Sequence, residues 1–284
     1  MADTPPIKLR MAEITAGEAR IRYAANPVVL IPLGSHEDQG PHAPMGDHLL
    51  AAHMAEAIAA RVVAAGTDCV VAPVLPFGRA DYFAPMPGGI ALSTATFRAV
   101  LDDILASLLR HGLRRLVVLN GHSGNAEPIR EATREVWQQQ GVLIPCLHLW
   151  RIAAALLPGI VGAERARASL GHGADPLTSL AMHVFPQLMR PDLLPAQRPP
   201  APRFLDLPFA GWGVLDCEGA EVAVPLDYDA TSPDGIGAGD PALCSAATGA
   251  ALAERLADLA ARCVQHVAAR TGGAAREGTP GRAR

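Results

Sequence analysis

No block of lysine and arginine runs through this sequence, and its formal net charge is -4. Without a basic face there is no electrostatic case for nucleic acid or an anionic membrane as partner. No apolar run approaches the ~20 residues that a membrane-spanning helix needs. The opening Met-Ala-Asp-Thr-Pro-Pro lacks the basic and apolar regions of a signal peptide. Cysteine is sparse: Cys69, Cys146, Cys217, Cys244 and Cys263 are scattered and odd in number, and the first two sit in apolar runs as small core residues. No disulfide framework follows, and a cytoplasmic protein is expected. There is no internal repeat. What is present is apolar mass: half of the 284 residues, enough for one large domain with a substantial core.

Apolar runs alternate with helical patterns. Val28–Leu33 reads as a buried strand, and residues 48–65 as a helix with Leu49, Met54, Ile58 and Val62 near helical spacing and Gly66 as its stop. A second strand is expected over 68–75, then a loop rich in Pro, Gly and aromatics over 76–89. Ser93 or Thr94 caps a helix over 97–111 with a stripe of Phe97, Leu101, Ile104, Leu105, Leu108 and Leu109. A third strand over 114–120, a helix over 126–139 and a fourth strand over 141–149 complete the alternation. A short amphipathic helix, Met11 to Arg20, packs on the domain edge. This order predicts an α/β fold with a mostly parallel sheet covered on both faces. The proline-rich stretch 185–233 excludes long helix and is expected to form short edge strands. A final helix spans 241–269, and 271–284 reads as a disordered tail, leaving a single domain over 1–270.

The chemistry gathers where strands end, as open α/β sheets dictate. After the first strand comes Gly34 to His48, with ligand-capable His36, Glu37, Asp38, His42, Asp47 and His48. Imidazole and carboxylate together suit zinc, manganese or iron. The plain alternative is a hydrophilic loop in which Asp47 caps the next helix. After the third strand comes Asn120-Gly-His-Ser-Gly-Asn125, which presents His122 either as a metal ligand or as a helix cap. The same run resembles a nucleophile elbow in strand, turn and helix order. In that reading Ser123 attacks with Asp175 or Asp240 and His183 or His266, and the first cluster is left without work. The third motif is Gly171-His172-Gly173-Ala174-Asp175-Pro176. Its His172 and Asp175 could move protons, and Asp175-Pro176 could equally open a helix. His53, His111, His148, His183 and His266 show no clustering.

At these motifs the chain resembles the creatininase (creatinine amidohydrolase) family. Gly34 to His48 is similar to its first loop, Pro87-Gly-Gly-Ile-Ala-Leu92 to its Pro-Gly-Thr-Ile-Ser-Leu segment, Asn120 to Asn125 to its Asn-Gly-His-Gly-Gly-Asn, His172 to Ser179 to its His-Ala-Gly-Glu run, and Gly239-Asp240-Pro241 to a late Gly-Asp-Pro. The resemblance implies a three-layer α/β/α fold, metal-dependent hydrolysis of a carbon–nitrogen bond outside peptides, and a homo-oligomer, the family's namesake being a hexamer. It places metal ligands at Glu37, two and eleven residues later, and at His122. Here the position two later is Gln39 where the family has His. The position eleven later is His48 where it has a bridging Asp, with Asp47 beside it. The second residue after His122 is Gly124, where creatininase has Glu. The expectation is one divalent metal (Zn, Mn or Fe) on Glu37, His122 and either Asp47 or His48. His42 stands in reserve, and a second metal is poorly provided for.

The expected activity is hydrolysis of a cyclic amide, lactam or formamide by metal-activated water, with His172 and Asp175 moving the proton to the leaving nitrogen. Creatinine itself is disfavoured, because Ala168-Ser169-Leu170-Gly171 stands where creatininase has a Trp and a catalytic Glu. Arg79, Asp81, Tyr82 and Phe83 are expected to shape the pocket. Two other readings remain: a binding or scaffold protein whose ligand set has decayed, and the Ser123 hydrolase.

Overall fold

The computed structural model describes residues 7–197 and 202–271. The elements run in chain order as α1 (Ala16–Ala24), β1 (Val28–Leu33), α2 (His48–Ala64), β2 (Cys69–Val71), α3 (Thr94–Arg110), β3 (Arg115–Asn120), α4 (Ala126–Gln140), β4 (Cys146–His148), α5 (Leu149–Leu156), α6 (Pro158–Val161), α7 (Ala163–Ser169), α8 (Leu177–Val184), β5 (Arg203–Phe204), β6 (Leu207–Gly211), β7 (Val214–Cys217), β8 (Ala220–Ala223), α9 (Tyr228–Thr231) and α10 (Ala246–Thr271). The first four strands form a parallel sheet in the order β2-β1-β3-β4.

All six residues of β1 are buried, because both faces of the sheet are covered. Side chains of a strand alternate between faces, and β1 divides accordingly. Val28 and Leu30 join a core with α2, α5, α8 and α10, while Val29, Ile31 and Leu33 join a second core with α3 and α4. This is the three-layer α/β/α arrangement. Ser93 caps α3 by accepting from Thr96 N, and the buried stripe of α3 is Phe97, Leu101, Leu105 and Leu109. Thr15 and Glu18 form a reciprocal capping box on α1, which starts later than the expected Met11, after a 3-10 turn over Met11–Glu13.

Other boundaries differ from the sequence expectation as well, the second strand being cut from 68–75 to Cys69–Val71. The fourth strand is cut to Cys146–His148, because Gly141 ends α4 in a left-handed turn and the register with β3 begins only at Cys146. The last helix starts at Ala246, after a separate 3-10 turn at Pro241–Leu243 capped by the Asp240 side chain, and it extends to Thr271. The remainder of the expected disordered tail lies outside the described residues. The proline-rich stretch does not pair with the edge of the main sheet. It builds its own antiparallel sheet, β5-β6-β7-β8, joined by hairpins in which Leu205, Asp206 and Glu218 hold positive φ.

Candidate metal centre

Strand register assembles the site. Leu33 of β1 pairs with Asn120 of β3, so the two motif loops leave the sheet side by side at its carboxyl end. Helix α2 starts close behind them. A Cβ on Gly34 would lie 2.4 Å from His48 Cα, and one on Gly121 would lie 2.7 Å from Ala51 Cβ, so each loop passes where only glycine fits. Asn120 holds the second loop by donating to the His122 carbonyl and accepting from the His122 amide. Asn125 ties that loop to the first by donating to Gly34 O at 3.0 Å, and to the next by accepting from Arg79 N at 2.9 Å.

Three side chains then converge. His122 Nδ1 lies 3.1 Å from Glu37 Oε2 and 3.1 Å from Asp47 Oδ2, and all three side chains are buried. Their potential ligand atoms lie within 4.8 Å of one another, the only such group of His, Cys, Asp and Glu among the described residues. Ser35 Oγ donates to Glu37 Oε2 at 2.8 Å and sits 3.1 Å from His122 Nδ1. Gln39 Nε2 donates to Asp47 Oδ1 at 2.7 Å and to Glu37 Oε1 at 3.2 Å. On the far side of the imidazole, Nε2 faces Arg79 O at 3.0 Å and Tyr82 OH at 3.1 Å, the arrangement of one N–H shared by two oxygens. With Nε2–H committed there, Nδ1 is the nitrogen that faces the carboxylates and the one that could offer a lone pair to a metal once its proton is released.

The electrostatics call for a cation. Burial pushes the Asp47 carboxyl up to about 7, and the Glu37 charge adds to this. Burial pushes Glu37 up most strongly, but the charge and hydrogen bond of His122, helped by His172 and the Ser35 hydroxyl, together outweigh it and hold that carboxyl low. Burial alone would lower His122; Glu37 and Asp47 overcome it and raise the imidazole to about 10. Two buried carboxylates therefore compete for one proton on His122. A divalent cation between Oε2, Oδ2 and Nδ1 would relieve the repulsion, so the donor set fits zinc, manganese or iron.

His172 lies in the same cavity as the triad, half-buried. Its Nε2 donates to the Asp38 carbonyl at 2.6 Å, and its ring packs on Phe83 and Tyr228. Burial lowers its pKa against the opposing pull of Glu37, which favours a neutral imidazole with Nδ1 as a free base. Asp175 also lines this cavity and is 1% exposed. Among the described residues no N–H or O–H reaches either of its oxygens. The weak Cys244 thiol lies beside it, and burial and the Asp175 charge push that thiol up. It does not cap α8, which starts two residues later with no side-chain cap.

Other motif residues are placed elsewhere. His48 is directed away from the triad: its Nδ1 meets Ser35 O at 2.9 Å and its ring lies 5.8 Å from that of His36. His42 Nε2 meets Thr178 Oγ1 at 3.3 Å. Asp47 precedes α2 without capping it, and its carboxylate turns into the site. Ser123 is exposed, and no hydrogen bond joins it to a histidine or carboxylate among the described residues, so the arrangement gives the serine mechanism no support. Arg79 contributes its carbonyl rather than its charge, and Asp81 pairs with the Arg79 guanidinium at 3.5 Å. Tyr82 and Phe83 line the cavity as expected, and Trp150 lines it with them. The sequence reading missed the part of Ser35, the double bond of Gln39 and the reach of Trp212, which stacks on Tyr82 with centroids 4.1 Å apart from the β6–β7 hairpin. The cavity measures about 920 Å³. No helix among the described residues is long and apolar enough to cross a membrane.

Comparison with known proteins agrees with this architecture. The family model for creatinine amidohydrolase matches residues 12–264. A creatinine amidohydrolase of Pseudomonas putida is 31% identical over 208 residues, 67% of this chain and 77% of the relative. A mycofactocin precursor peptide peptidase of Mycobacterium ulcerans is 30% identical over 175 residues, 60% of this chain and 63% of the relative, so the match spans less than two thirds of that protein. A solved mutant creatininase of Zn-Zn type superposes with a TM-score of 0.68 at 25% identity, covering 92% of this chain and 99% of that one.

Proposed function

The chain belongs to the creatininase family, and from that premise we propose that it is a metal-dependent amidohydrolase with one divalent ion held by Glu37, Asp47 and His122 Nδ1. The observation that carries this reading is the buried convergence of two carboxylates and one imidazole at 3.1 Å, open to a cavity that also holds a free base. Bound there, a divalent cation supplies an acidified water and polarisation of the scissile carbonyl. The chain's own residues do the rest. Glu37 and Asp47 provide the anionic charge that retains the ion. Arg79 O and Tyr82 OH fix the His122 ring, so that Nδ1 is the ligand atom. His172, oriented by the Asp38 carbonyl, accepts a proton at Nδ1 and passes it to the leaving nitrogen. Asp175, whose carboxylate has no strong donor on it, is the second carrier of that proton.

The substrate class is a cyclic amide, lactam or formamide. The cavity, about 920 Å³, is far roomier than a single five-membered ring, and its aromatic walls at Tyr82, Phe83, Trp150 and Trp212 suit a larger planar body. Creatinine is therefore a poor candidate. Exposed Phe204, Leu205, Trp212 and Val222 on the antiparallel sheet favour a homo-oligomer, in keeping with the family's habit, and a cytoplasmic location fits the five free cysteines. The test is a panel of cyclic amides and formamides with protein stripped of metal and then reloaded with Zn or Mn. Hydrolysis should require the metal and vanish in Glu37→Ala. Chelator-resistant turnover would refute the mechanism, and metal binding without turnover of any panel member would favour a scaffold.

A further inference from the structure

Gln39 has no role in the account so far beyond its two hydrogen bonds, yet it is buried to 4% exposure inside a charged centre. Its Nε2 lies 2.7 Å from Asp47 Oδ1 and 3.2 Å from Glu37 Oε1. A primary amide nitrogen carries two hydrogens and gives one to each carboxylate. Those two oxygens are not the ones that face His122: Oε2 of Glu37 and Oδ2 of Asp47 hold that position. Each carboxylate is thus divided, one oxygen turned to the imidazole and the other turned to the amide. The amide's orientation is fixed by chemistry, since turned over it would set its oxygen against two carboxylates. The arrangement leaves Gln39 Oε1 buried without a donor, a penalty that the two bonds to charged acceptors offset.

A second cation bridging Oε1 and Oδ1 would have to lie where the two N–H groups now point. Among the described residues no further His, Cys, Asp or Glu joins the Glu37, Asp47 and His122 cluster to help hold it. The loop beyond His122 cannot supply a further side chain from position 124. A Cβ there would lie 2.2 Å from Arg79 O, 2.6 Å from His122 Nε2 and 2.9 Å from Tyr82 OH. The solved mutant creatininase is, by its description, of Zn-Zn type.

We infer that the Gln39 amide takes the place of a second cation between Glu37 and Asp47, and so restricts this centre to a single metal ion. The inference rests on the one-metal reading above. Gln39 acts as a positioning residue: it satisfies the outer oxygen of each carboxylate with an N–H donor and aims their inner oxygens at one ion.

The experiment counts metal in purified full-length protein, stripped, reloaded with excess Mn(II) and freed of unbound ion. It compares wild type with Gln39→Glu and Gln39→His, each first checked for folding by a cooperative thermal melt. Wild type should hold about one ion per chain and give the magnetic resonance spectrum of an isolated Mn(II). Gln39→Glu replaces both donors with a third carboxylate, and Gln39→His places an imidazole lone pair there. Either folded variant should take up about two ions, with exchange coupling between them. One ion in wild type and still one in the folded variants would overturn the role of Gln39 while leaving the single-metal centre intact. Two ions in wild type would overturn the inference directly. No ion in wild type would defeat the metal reading itself, and this inference with it.

Discussion

Replacing Asp47 with Asn tests the centre at its most specific point, because the neighbouring His48 was an equal candidate in the sequence. The ligand atoms of Glu37, Asp47 and His122 lie within 4.8 Å of one another, so an ion among them touches all three. At an effective dielectric near 20, one unit charge at about 4 Å contributes about 4 kcal/mol. A divalent ion in direct contact gains more, and the desolvation of the carboxylate and the residual ligation by the asparagine oxygen take some of this back. About 4 kcal/mol is therefore the working figure for Asp47→Asn, or roughly 10³-fold weaker metal binding at about 1.4 kcal/mol per tenfold. His48→Ala removes a side chain whose Nδ1 is engaged with Ser35 O. It should cost about 1 kcal/mol of stability and leave metal affinity within about threefold. Competition against a chelator of known affinity reads both effects. Wild-type affinity in Asp47→Asn, or loss of the ion in His48→Ala, would reverse the assignment.

Changing His172 to Asn should lower turnover by about 10²–10⁴-fold with metal content unchanged, as expected for a proton carrier rather than a ligand; loss of metal would make it a ligand. Asp175→Asn should slow turnover and keep the metal, and an unaltered rate would remove Asp175 from the reaction. Ser123→Ala should leave the rate within about twofold, whereas a serine nucleophile would lose its covalent step altogether. For pH, Asp47 is raised from 3.8 to about 7 and His122 from 6.5 to about 10 in the metal-free fold. In both cases the folded chain keeps protons that the unfolded chain has released, so the stability they confer is present at low pH. It is lost as pH rises through about 7 for Asp47 and on toward about 10 for His122. The metal-free melting temperature should therefore fall between about pH 6 and pH 9, and the stabilising shift on adding metal should grow over the same interval. A metal response independent of pH would contradict the proton-for-metal exchange.

Much of the scaffold was legible because strand and helix carry different periods. The run Val28–Leu33 is apolar at every position because both faces of β1 are covered, and Phe97, Leu101, Leu105 and Leu109 repeat at helical spacing because α3 buries one face. Glu37 and His122 were legible for a related reason: both follow a strand at its carboxyl end, and parallel strands 1 and 3 lie next to each other. The choice between Asp47 and His48 was not legible. It turns on the backbone at the start of α2, where Asp47 has φ -68° and ψ -21° and sends its carboxylate into the site, while His48 already belongs to the helix and finds the Ser35 carbonyl. Hydrogen bonds between residues far apart in the chain leave no periodic trace, so Tyr82 on His122 and Trp212 on Tyr82 could be found only in three dimensions. The proline-rich segment ruled out long helix correctly, and the only α-helix described within it is the single turn α9. Its partner strands are its own, set by hairpins that no apolar pattern announces.

The central claim is where the metal sits. Anomalous diffraction from a crystal of metal-loaded protein, collected at the absorption edge of the bound ion, tests it without reference to any substrate. The account predicts one strong peak per chain, among Glu37 Oε2, Asp47 Oδ2 and His122 Nδ1, with Gln39 Nε2 still on the outer oxygens. A peak centred on the His36–His48 pair, or a second peak in place of the Gln39 amide, would contradict it.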